Sequence, residues 1–179
     1  MNAPAYRKIT LNDVAYHEAA HMVIYLLAGG STCIIRAVEV KKTCGSFYTP
    51  YIFPHPYDNL AEACVRIAGV VINELIEISP DGASYDLKVA KELLSADKLL
   101  SEANILVLKA KVERLLWKYI DVVSVVAQHL IKQRNKQGVI CERKCKAIAQ
   151  DALEHITLIR WLSYMRTETA TKGISNLQI

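Results

Sequence analysis

Glycine and proline are scarce in this chain of 179 residues, at 7 and 5. That scarcity excludes a collagen-like repeat or a linker-dominated architecture. Cysteine is sparse and odd in number: Cys33, Cys44, Cys64, Cys141 and Cys145 show no framework spacing. This pattern suits a reducing compartment better than a disulfide scaffold. No stretch of 18 or more apolar residues is free of charge, so no transmembrane helix is predicted. Met1 to Thr10 lacks a basic segment followed by an apolar one, so no signal peptide is read there. No glycine is followed by lysine, which removes the G-x-x-x-x-G-K-[ST] phosphate loop. What is present is a 52% hydrophobic and 22% charged composition, ample for a packed core. The expectation is a soluble, cytoplasmic globule, with residues 1–162 as a single domain and 163–179 as a polar, mobile tail.

Acidic charge is short in the second half. Residues 1–90 carry 7 basic and 9 acidic groups, whereas residues 91–179 carry 15 basic and 9 acidic ones. The excess gathers at Lys132, Arg134, Lys136, Arg143, Lys144 and Lys146. Such a cluster can meet nucleic acid, but a solvated loop and an exposed helix start explain it more simply, so nucleic acid is not an expected partner.

Apolar spacing predicts a mainly α fold. Ile9 to Leu27 reads as a helix, with Thr10 or Asn12 as N-cap and Gly29-Gly30 as the stop. Residues 34–53 form the small β element, with Cys44-Gly45 able to turn a hairpin and Pro50 confining its second run to a sheet edge. Helical spacing resumes from Asn59 to about Ile78, stops at Ser79-Pro80-Asp81-Gly82, and restarts behind Ser84 through about Leu94. Ile105 to Ile131 reads as one long helix or two joined between Trp117 and Asp121. Gln137-Gly138 ends that region, and Cys141 to about Leu162 is helical again. Trp117 and Trp161 read as packing residues.

The first helix carries His17-Glu18-Ala19-Ala20-His21, an H-E-x-x-H sequence. Residues four apart share a helical face, so both imidazoles can approach one zinc ion. Glu18 is rotated about a third of a turn, which sets its carboxylate beside the metal, where it can take a proton from a zinc-bound water. A catalytic zinc needs a third protein ligand and one open position. Ile24 and Leu27 stand where a metzincin would have Gly and His, which excludes that class. Glu77 and Asp81 are the E-x-x-x-D pair, but they come late and straddle a helix end. Asp86, in the first turn of a predicted helix, is the better candidate; complementing the helix N-terminus is an equally good account of it. Cys141-x-x-x-Cys145 lacks a second pair, so a structural zinc is not expected there. Cys33 or Cys44 could reach the metal as an inhibitory thiolate, though ordinary thiols are commoner. His55, His129 and His155 have no partners at ligand spacing.

Three blocks together resemble the peptidase domain of the FtsH family of AAA+ proteases, peptidase family M41. Val14 to His21 is similar to that family's A-x-H-E-A-G-H zinc helix. Ala68-Gly69 through Asn73-Glu74-Leu75 resembles its A-G-x-x-A-E-E-L helix, and Gly82-Ala83-Ser84-Tyr85-Asp86-Leu87 resembles T-G-A-S-N-D-L. The resemblance covers roughly residues 12–150. It implies that His17, His21 and Asp86 bind Zn2+, that Glu18 is the catalytic base, and that the substrate is an unfolded polypeptide added along a sheet edge near residues 34–53. Glu74 would orient a ligand histidine, or be ordinary helix-end charge. Ala20 replaces the family's Gly and Tyr85 its Asn, and no AAA+ module is found in these residues. The expected activity is a zinc metalloendopeptidase without its own ATPase, with a homo-oligomer or a separate ATPase as candidate partners. The alternative is a catalytically silent binding or regulatory module that keeps the metal.

Overall fold

The computed structural model describes residues 8–35, 37–42, 44–48, 59–78, 83–96 and 101–175, with side chains described as far as residue 160 except at Ile34 and Tyr48. Its centre is the first helix, α1 (Leu11–Leu27). Thr10 caps it reciprocally: Thr10 Oγ1 accepts from the Asp13 backbone N–H at 3.4 Å, and Asp13 Oδ2 accepts from the Thr10 N–H at 2.7 Å. At the other end Gly29 takes φ +91°, and Gly30 N–H reaches back to Tyr25 O at 2.9 Å, closing the helix with a left-handed turn. Val14, Ala15, Ala19, Ala20, Met22, Val23, Ile24, Tyr25 and Leu26 are all buried, so α1 is apolar on nearly every side and is wrapped by its neighbours.

Those neighbours are α2 (Asn59–Leu75) and α5 (Ile120–Gln133) on its flanks, with α3 (Ser84–Ala96) and α4 (Glu102–Lys118) packed on α2. A three-stranded antiparallel sheet covers another side, in the order β2 (Gly45–Tyr48), β1 (Ala37–Val40), β3 (Val139–Ile140). Val38 pairs with Phe47 on one side and with Ile140 on the other. Alternation buries Val38 and Val40 and leaves Glu39 to pair with Lys41 at 2.9 Å. One hydrophobic core runs through α1 to α6 and the sheet.

The mainly α architecture with a small β element is as the spacing predicts, with three differences in detail. Lys41 N–H donates to the Cys44 carbonyl at 2.9 Å where β1 gives way to β2, so Gly45 is already in β2. Of the two readings of 105–131, the two-helix one is observed, with the break at Tyr119 (φ −116°, ψ 24°) inside the expected stretch and its ring buried at the junction. The sheet gains β3, two residues too short to leave a periodic signal; Asn135 Oδ1 accepts from the Gln137 and Val139 N–H groups and turns the chain into it. α6 (Glu142–Ser175) continues past the expected end near Leu162, since no Gly or Pro interrupts it before Gly173. Trp117 is corrected: it is 59% exposed on the outer face of α4 and packs no core. Trp161, the Ser79 to Gly82 break, Pro50 and His55 lie outside the described side chains or residues. No described helix is long and apolar enough to cross a membrane.

Cys145 lies fully buried at the start of α6, and burial pushes its thiol up to about 11, whereas Cys33, Cys44 and Cys141 are exposed. A maleimide pulse on the native protein at pH 7.5, read by mass spectrometry, is expected to label Cys33, Cys44 and Cys141 and to spare Cys145. In denaturant all are expected to react.

Candidate metal centre

Three helices supply the site. The i, i+4 spacing puts His17 and His21 on one face of α1. Against that face α2 presents Val65, Arg66, Gly69 and Asn73, and the first turn of α3 brings in Asp86. His17 Nε2 lies 3.0 Å from His21 Nε2 and 3.1 Å from Asp86 Oδ2, and His21 Nε2 lies 3.4 Å from the same oxygen. Among the described residues only this group brings three donor atoms within 4.8 Å of one another. Ligands about 2.0–2.1 Å from a tetrahedral ion stand roughly 3.3 Å apart, so the triangle has the size of a zinc-like ligand set.

The outer nitrogens of both rings are already engaged. His21 Nδ1 donates to the Val65 carbonyl at 2.7 Å, and His17 Nδ1 donates to Asn73 Oδ1 at 3.1 Å. With Nδ1 carrying the proton in a neutral ring, Nε2 carries the lone pair. Two lone pairs and a carboxylate oxygen then face one point, an arrangement that repels itself unless a cation sits among them. The titration behaviour agrees. Burial pulls His17 down, but the Asp86 hydrogen bond and the nearby Glu18 and Asp86 charges outweigh it, so its pKa is raised. Burial pushes Asp86 up, yet hydrogen bonds and charge from the two histidines hold it far below the usual carboxylate range.

Glu18 stands beside this triangle. It is 2% exposed, its Oε2 has no hydrogen-bond partner, and burial raises its pKa. Two glycines make room. A Cβ on Gly69 would fall 2.7 Å from both His17 Nε2 and His21 Nε2, and one on Gly45 would fall 2.5 Å from Glu18 Oε1. Both backbones therefore approach the site at distances only glycine permits. A cleft of about 530 Å³ opens over the site, with Gly45, Ser46 and Phe47 of β2 on one wall and Tyr85 on another.

Of the residues the sequence singled out, His17, Glu18, His21 and Asp86 are brought together. Glu74 is not: it points away, 49% exposed, and pairs with Lys109 of α4. One residue along a helix is a rotation of about 100°, so Asn73 faces His17 and Glu74 cannot. Asn73 is the orienting group that sequence reasoning missed, along with Arg66 and the Val65 carbonyl; its separation of four from Gly69 was the available signal. Ala20 is fully buried in the core. Cys44 lines the cleft but is not among the three grouped donors, and Cys33 is exposed elsewhere. His129 and His155, distant in sequence, both lie 3.8 Å from Asp151, at an exposed position.

No protein-family model matches the chain, and no curated protein matches it significantly. The site is therefore read from its own chemistry.

Gly69→Ala is expected to fold, because its Cβ would meet only the ring ends of His17 and His21 and no backbone, so the imidazoles and not the helices must shift. Its methyl would occupy the space between the two imidazoles. Calorimetric titration with Zn2+ is expected to show at least a hundredfold loss of affinity, with the circular dichroism of the native protein retained.

Proposed function

We propose that the chain is a zinc-dependent metalloendopeptidase acting on unfolded or flexible polypeptides. The observation that carries this reading is the convergence of three metal-ligating atoms with a buried, unpartnered carboxylate, Glu18, in an open cleft. His17 and His21 would hold the ion through Nε2 and Asp86 through Oδ2. When bound, Zn2+ supplies Lewis acidity toward the scissile carbonyl and toward water.

The remaining roles belong to the protein. Glu18, buried at the floor of the cleft with its pKa raised by burial, would accept a proton from the attacking water and return it to the leaving amine nitrogen. Asn73 and the Val65 carbonyl fix the ring orientations, so the ligand atoms need no rearrangement before metal binds. β2 has one strand neighbour among the described residues, β1, and its Gly45 to Phe47 stretch borders the cleft. An extended substrate added there would run past Glu18, and its main chain could come close because Gly45 lacks a side chain. Chains of this shape must already be extended, so folded substrates would need a separate ATPase to open them.

Glu18→Gln keeps the size of the side chain and removes the base. Casein cleavage is expected to fall by about 10²–10⁴-fold, with zinc still bound stoichiometrically by elemental analysis. Undiminished cleavage by that variant would overturn the assigned role. Stoichiometric zinc without turnover in the unaltered protein would instead favour the silent binding module.

A further inference from the structure

Asp86 offers its two oxygens to different partners. Oδ2 faces both imidazoles, at 3.1 Å and 3.4 Å, while Oδ1 faces the Arg66 guanidinium, with Nη1 at 3.4 Å. We infer that Arg66 is a positioning residue that holds Oδ1 of Asp86, so that Asp86 presents a single oxygen to the metal and the fourth position stays open.

A carboxylate can ligate through one oxygen or both. If Asp86 used both, it would crowd the position that a water or substrate carbonyl needs at a catalytic zinc. A charged donor on Oδ1 works against this by giving that oxygen a competing partner. Arg66 is well placed to do so. It sits on α2 one turn before Gly69, on the stripe that also carries Asn73, so the same helix orients a histidine and the aspartate. The competing account is a surface ion pair between Arg66 and Glu62 at i, i+4, ordinarily worth about 0.3–0.5 kcal/mol. That contact is the longer one, at 3.7 Å, and the Arg66 side chain is only 26% exposed, with its Nε buried and unpartnered. A guanidinium serving Glu62 alone would gain more by turning into solvent, where Nε could be hydrated. The orientation observed spends those contacts on Asp86.

This inference rests on the zinc reading, and Co2+ titration of the whole chain separates the two. Co2+ gives stronger visible absorption in a four-coordinate site than in a site of higher coordination. Arg66→Met is expected to weaken Co2+ binding by about 10–100-fold. Its absorption per bound ion is expected to drop as Asp86 engages through both oxygens. Arg66→Lys keeps the charge without the planar fork, and should recover part of the affinity. Glu62→Gln should leave both affinity and spectrum unchanged. Far-UV circular dichroism checks the fold of each variant, and if Arg66→Met does not fold, Arg66→Lys decides by the same spectrum. Wild-type affinity and spectrum in the Arg66 variants would overturn the role of Arg66 while leaving the metal site intact. Failure of the unaltered protein to bind Co2+ and Zn2+ would overturn both.

Discussion

The close approach of α1 and α2 at Gly69 is the constraint on which the site depends. Two imidazoles from α1 lie where a side chain from α2 would otherwise stand. Once the helices are that close, the Val65 carbonyl and the Asn73 amide come within hydrogen-bonding distance of the two outer ring nitrogens. The same contact points both Nε2 atoms at Asp86. Helix packing therefore sets ring orientation, and ring orientation sets what the site can bind. Ala20, one position from His21, lies fully buried in the core.

Electrostatically the site is costly and the surrounding core offsets it. Glu18 and Asp86 are both buried, and removing a carboxylate from water costs several kcal/mol unless it is paired. Asp86 finds Arg66 and the histidines; Glu18 Oε2 finds no partner. Against this stand the fully buried side chains around α1, among them Tyr25, Met22, Ile24, Ile67, Ile72 and Leu130. Each contributes roughly 1.5–3 kcal/mol of burial. That core holds the buried carboxylates and the two imidazoles in the close arrangement observed.

The sheet supplies the other half of the cleft. β1 buries Val38 and Val40 against the helical body, and this anchors β2 through their paired register. β3 braces β1 from the far side, linking the loop after α5 to the wall of the site. The basic segment that stood out in the sequence thus contains a structural joint: it ends α5, forms β3 and starts α6. Its Lys144 donates to the Gln133 carbonyl and its Lys146 pairs with Glu142, so part of its charge is spent on helix ends.

By itself the sequence determined whatever is local. The 3.6-residue period located the helices, Thr10 and Gly29-Gly30 marked the limits of α1, and the spacing of His17 and His21 put both rings on one face. Asp86 was legible as a first-turn acid and as a candidate third ligand beside the two rings, with capping of the helix N-terminus an equally good account. Only the tertiary structure decided that it meets them, that Asn73 and not Glu74 turns toward His17, and that Arg66 takes the second oxygen of Asp86. It also decided that Val139–Ile140 completes a sheet and that Trp117 faces outward. The reason is the same in each case. A periodic pattern fixes which residues share a face, but the rotation of one helix against another, and hence which face meets which, follows from packing between residues far apart in the chain.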